Sequence, residues 1–169
     1  SYENDLKNFI QNLSDVIESN TVLRFKHGGS YGWNQVNEFK RIFPKITLDK
    51  ATGPLESERA KSRLCVETSN FTTYLESLAL NIPTIIFWDP SRNELAENAI
   101  VYFEDLAKAK IFFTDPLEAS AHINNIWENV DNWWSSDLVQ KSRINFVNSY
   151  ALSSENYIND FVHFMKENT

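Results

Sequence analysis

Apolar residues at Leu6, Phe9, Ile10, Leu13, Val16 and Ile17 recur at spacings of three and four, which gathers them on one face of a single helix over residues 3–19. Val22-Leu23-Arg24-Phe25 reads as a short strand, and His27-Gly28-Gly29-Ser30-Tyr31-Gly32 as a loop holding three of the four glycines. A helix over 34–42, a weak strand at Ile46-Thr47-Leu48, a loop from Lys50 to Pro54 and a short helix over 56–61 come next. The pattern then sharpens. Leu64-Cys65-Val66-Glu67-Thr68 predicts a buried strand, Ser69-Asn70 the turn and cap of a helix from Phe71 to Leu80, and Thr84-Ile85-Ile86-Phe87-Trp88 a second, strongly apolar strand. Asn81-Ile82-Pro83 stops the intervening helix, and Asp89-Pro90-Ser91 turns the chain after the second strand.

A helix over 93–109, a short strand at Ile111-Phe112-Phe113 and a helix from the Asp115-Pro116 cap to Val130 continue the alternation. Two terminal helices, over 137–149 and 154–166, follow a bend at Trp133-Trp134, with Trp127, Trp133 and Trp134 expected to pack them on the sheet. Strands that alternate with helices and are too apolar for a one-sided sheet predict an α/β fold. The expectation is a Rossmann-like, doubly wound parallel sheet flanked by helices, with additional C-terminal helices. At 169 residues the chain fits one domain spanning 1–169.

Composition narrows the class. Hydrophobic residues at 42% and aromatics at 14% are enough to build a core, while a net charge of -7 without clustered Lys and Arg argues against nucleic-acid binding. No run approaches the roughly 20 apolar residues that cross a bilayer, so no transmembrane segment is predicted. A cytoplasmic place, or a peripheral one at the inner membrane face, is expected. Cys65 stands alone in the apolar run Leu64-Cys65-Val66, which predicts a small buried hydrophobe rather than a disulfide. The chain opens on Ser1 in helix-like sequence, as expected of a piece of a longer protein.

Ligands of open parallel sheets bind outside the carboxyl ends of the strands, which directs attention to the loops after Phe25, Val66 and Phe87. In Glu67-Thr68-Ser69-Asn70-Phe71-Thr72-Thr73, hydroxyls meet free backbone N–H groups at a helix N-terminus, an arrangement that suits a phosphate. Ser69, Asn70, Thr72 and Thr73 are the candidate phosphate ligands; the plainer alternative is that they cap the helix and satisfy local backbone. Glu76, one turn on, is placed to accept from ribose hydroxyls or to lie in solvent. Arg24, His27, Gly28 and Gly29 can pair an anion and approach it with backbone, with His27 a weak catalytic candidate and otherwise polar surface. Asp89 and Arg92 can hold sugar hydroxyls or an anion, or simply form the turn.

Several familiar motifs are missing. The chain has no G-x-G-x-x-G, no G-x-x-x-x-G-K-S/T, no zinc-spaced Cys and His pairs and no G-x-S-x-G. Hydride transfer by the usual fingerprint, P-loop hydrolysis, structural zinc and α/β-hydrolase chemistry lose support, and no metal is predicted.

The block from Arg63 to Trp88, with Glu67-Thr68-Ser69-Asn70-Phe71-Thr72-Thr73 at its centre, resembles bacterial surface-carbohydrate transferases of the two-domain B-type glycosyltransferase fold. Ile126-Trp127, Trp133-Trp134 and Gln140-Lys141-Ser142-Arg143-Ile144-Asn145-Phe146 extend the resemblance over roughly residues 20–150. It is more distantly similar to CMP-Kdo transferases and CDP-glycerol glycerophosphotransferases. The resemblance implies a donor-binding carboxyl-terminal half, a nucleotide sugar, CMP- or CDP-linked, as substrate, no cofactor, and an acceptor domain outside this sequence. It also implies that Ser69, Thr72 and Thr73 face the nucleotide phosphate. Those relatives carry His-Pro after the first strand, where this chain has His27-Gly28. A CDP-alcohol phosphotransferase and a noncatalytic interaction domain with a degenerate nucleotide fold stand as alternatives.

Overall fold

The computed structural model describes residues 1–25 and 35–151. Its strands form two small parallel sheets. β1 (Val22–Arg24) pairs with β2 (Thr47–Asp49), and β4 (Thr84–Phe87) lies between β3 (Cys65–Glu67) and β5 (Phe112–Phe113). The expected single sheet is thus two ladders among the described residues, joined by side chains: Leu23, Leu48 and Val66 pack on the same apolar cluster as Ile85 and Phe87. With three residues per strand in β1, β2 and β3, burial rather than a continuous ladder holds the pieces together.

β4 explains the layering. All four of its residues are buried, and alternation sends Ile85 and Phe87 to one side and Ile86, with Trp88 just beyond, to the other. The first side is covered by α1 (Tyr2–Gln11), α3 (Gln35–Ile42) and α7 (Pro116–Ile126), through Phe9, Phe39 and Ile123. Phe9 stacks on Phe87 with centroids 4.8 Å apart. The second side is covered by α5 (Thr73–Ala79), α6 (Glu97–Lys108) and α9 (Asp137–Tyr150), through Leu78, Phe103 and Phe146. A strand buried on both faces and parallel to both neighbours makes the larger sheet an α/β sheet of the predicted kind.

Several boundaries differ from the sequence reading. The opening helix is broken into α1 and α2 (Asp15–Ser19), because Asn124 reaches into the gap: its Oδ1 accepts from the Ser14 N–H at 2.9 Å and its Nδ2 donates to the Asn12 carbonyl at 2.7 Å. Val16, expected on the apolar face, is consequently exposed. α5 starts at Thr73 rather than Phe71; Thr72 is its N-cap, without a side-chain capping bond, so Ser69-Asn70 forms a turn and not the cap. α6 starts at Glu97, four residues later than expected. The helix after Pro116 ends at Ile126, followed by a 3-10 turn (Trp127–Asn129) and α8 (Val130–Trp134). The second terminal helix, over 154–166, lies outside the described residues.

The tryptophans pack as expected. Trp134 is buried and donates to the Asn81 carbonyl and side-chain oxygens at 3.1 and 3.0 Å, and Trp133 donates to the Ala109 carbonyl at 3.3 Å. Asn81, at φ 56°, adopts the left-handed conformation that ends α5, and the Ile82 N–H returns to the Ser77 carbonyl. No helix among the described residues is long and apolar enough to cross a membrane.

Candidate functional site

The carboxyl ends of β3 and β4 open into a cleft of about 180 Å³. Thr68 and Ser69 line it from the turn after β3; Trp88, Asp89, Arg92 and Asn93 line it from the loop after β4. Two residues of α1, Tyr2 and Asp5, form a wall that the helical reading did not reveal. Parallel β3 and β4 bring the two loops side by side, and α1 is placed across their ends by the packing of Leu6, Phe9 and Ile10 on the sheet.

Polar contacts fix the walls. The Tyr2 hydroxyl and Thr68 Oγ1 lie 3.0 Å apart, tying α1 to the turn after β3. Arg92 donates from Nη1 to Asp5 Oδ2 at 2.7 Å, and its Nη2 lies 3.0 Å from Asp89 Oδ2. Hydrogen bonds from Ser91, then the Arg92 charge, hold the Asp89 carboxyl below its ordinary pKa. Asp5, then Asp89, pushes the Arg92 pKa up. The site therefore presents an ion triad of two carboxylates and one guanidinium beside neutral hydroxyl and amide groups.

Behind the turn lies a charged network centred on Arg59, the last residue of α4 (Leu55–Arg59). This buried guanidinium donates to Glu76 Oε2 at 2.9 Å and to the Thr73 carbonyl at 2.7 Å, and lies 3.5 Å from Glu67 Oε1. Glu67 also accepts from the Thr73 hydroxyl at 2.8 Å. The network braces the turn between β3 and α5 from three elements. The sequence carried no local signal of it, since Arg59 sits in a short charged helix and meets its partners only through the tertiary fold.

The structure brings together Ser69, Asp89 and Arg92 but disperses other sequence candidates. Arg24 pairs with Asp49 at 3.0 Å and donates to the Gly53 carbonyl at 2.7 Å, linking β1 to β2 and the loop beyond. Glu76 is held by Arg59, and Thr73 commits its hydroxyl proton to Glu67. Asn70 accepts from the Tyr74 hydroxyl at 3.1 Å and lines a second, shallower hollow with Leu75, Leu95 and Phe103. Thr72 is at the N-cap of α5. His27, Gly28 and Gly29 lie outside the described residues.

Cys65 is half-buried rather than fully buried, and burial, then the Glu67 charge, pushes its thiol up to about 11. At neutral pH it is a protonated thiol, consistent with a packing role. Among the described residues no group of three or more His, Cys, Asp and Glu side chains is arranged to hold a metal ion.

No curated protein and no solved structure matches this chain. Family similarity nevertheless covers nearly all of it, for residues 1–165 match the LIC12162 family of transferases, and the chain belongs to that family.

Proposed function

We propose that the chain is the donor-binding half of a B-type glycosyltransferase, acting on the cytoplasmic side of the membrane in bacterial surface-polysaccharide synthesis and taking a nucleotide-activated sugar. The observation that carries this reading is the cleft at the carboxyl ends of β3 and β4, where the hydroxyl-rich turn faces Asp89 and Arg92 in a transferase chain. The nucleotide phosphate lies on the Ser69–Thr73 turn, met by backbone N–H groups and the Ser69 and Thr72 hydroxyls. The sugar extends into the cleft.

The chemical logic is that of a leaving group. Breaking the bond between sugar and phosphate gathers negative charge on the phosphate oxygens, and preorganised donors act most strongly where that charge develops. Arg59 keeps the turn in place without touching the cleft, through the Thr73 carbonyl, Glu67 and Glu76. The acceptor and its base belong to a second half, which closes the site against water.

The full two-domain protein, incubated with a panel of nucleotide sugars and CDP-alcohols, is expected to give a glycosylated product by mass spectrometry. Transfer of a phosphoalcohol instead identifies a phosphotransferase of the same fold. No turnover and no nucleotide binding, with a stable protein complex, identifies an interaction domain.

A further inference from the structure

Arg92 is paired with two carboxylates before any ligand arrives: Nη1 is on Asp5 at 2.7 Å and Nη2 on Asp89 at 3.0 Å. From this we infer that the cleft takes an uncharged, polyhydroxylated group and rejects one bearing a carboxylate. The inference rests on the donor-binding reading and specifies which class of sugar that donor carries.

Charge is the first argument. Among the described residues, the charged side chains lining the cleft are two carboxylates and one guanidinium, so an incoming carboxylate meets a net negative wall and a cation already paired twice. Solvent screens part of this field, since Asp89 and Arg92 are 35% and 39% exposed, while Asp5 is more sheltered at 24%. Hydrogen-bonding capacity is the second. The Tyr2, Thr68 and Ser69 hydroxyls and the Asn93 amide both donate and accept, matching sugar hydroxyls, which do the same.

Size is the third argument. A volume of about 180 Å³ is below the roughly 300–1,000 Å³ of sites that enclose a whole drug-sized ligand. It fits one ring-sized group and leaves the nucleotide to the turn alongside. Asp5 and Asp89 are thereby specificity-determining, because they engage Arg92, a cation that would otherwise welcome an acidic sugar. This separates the chain from the CMP-Kdo transferases, whose sugar carries a carboxylate.

The test titrates the full chain with the glucose and glucuronate esters of UDP and of CDP, and with CMP-N-acetylneuraminate. A neutral ester is expected to bind about tenfold or more tightly than its uronate counterpart. In Asp5→Asn, and further in Asp5→Asn/Asp89→Asn, the ratio is expected to fall as Arg92 is freed, with circular dichroism confirming the fold. A uronate or neuraminate ester bound as tightly as the neutral ones overturns the inference and leaves the donor reading standing. A ratio unchanged in the folded variants overturns the role of the triad. Failure of all five, and of free CMP, CDP, UMP and UDP, overturns the donor reading and this inference with it.

Discussion

The two sheets of this molecule differ in how completely they are covered. β4 is buried along its whole length with an apolar cluster on each face. β1 and β2 each begin on an exposed residue, Val22 and Thr47, and their partly buried Leu23 and Leu48 contribute to only one cluster. The cleft opens at the carboxyl ends of β3 and β4, within the better-anchored sheet, whereas the charged residue ending β1, Arg24, is engaged in a cross-strand ion pair. A well-covered sheet holds its loops in fixed positions, and binding groups are best placed on such elements.

The sharpest way to break this comparison is to remove equivalent apolar bulk from each region. Leu106→Ala, in the cluster over β4, is expected to cost about 2–5 kcal/mol by urea denaturation. Leu23→Ala, in half-buried β1, is expected to cost only about 1 kcal/mol. Equal losses would show that the two sheets are equally anchored.

Arg59→Ala probes how the turn is held. Removing one partner of a buried ion network typically costs about 3–5 kcal/mol, and the lower end is expected here because the Glu76 side chain is half exposed. Thermal melting that leaves Arg59→Ala as stable as the parent would show that the turn needs no such brace.

A smaller effect concerns the far end of the larger sheet, where the His122 ring lies 5.5 Å from Phe113 and 5.3 Å from Trp133. Burial, helped by the Lys110 charge, lowers its pKa below the ordinary value near 6.5. The unfolded chain therefore binds this proton more readily than the folded one. The contribution of neutral His122 is complete above about pH 6.5 and is lost as the pH falls through that value toward the lower folded pKa. Melting temperature is expected to drop less between pH 7.5 and 5.5 in His122→Phe than in the parent; identical drops would assign the acid sensitivity elsewhere.

The contrast between the regions also governs what could be read from sequence. β4 was legible because Thr84-Ile85-Ile86-Phe87-Trp88 is apolar at consecutive positions, which only a strand covered on both faces tolerates. The break between α1 and α2 was not, because periodicity runs unbroken through Leu13 while the interruption is made by Asn124, more than a hundred residues away. The cleft was half legible. Ser69, Asp89 and Arg92 follow from the rule that loops after parallel strands bind ligands, but Tyr2 and Asp5, and Arg59 behind the turn, are placed by tertiary packing of helices whose local pattern speaks only of burial and solvent.

Calorimetry of the full chain with CMP, CDP, UMP and UDP, repeated on the Ser69→Ala/Thr72→Ala/Thr73→Ala variant, tests most directly whether a nucleotide phosphate occupies the turn after β3. Hydrogen bonds to charged groups contribute about 1.5–3 kcal/mol each, so one lost contact weakens binding about tenfold or more. Circular dichroism and melting control for the fold, since Thr73 also anchors Glu67. The parent is expected to bind at least one of these nucleotides, and the folded variant to bind it at least about tenfold more weakly. Equal binding by parent and folded variant, or none by the parent, contradicts a nucleotide phosphate at this turn.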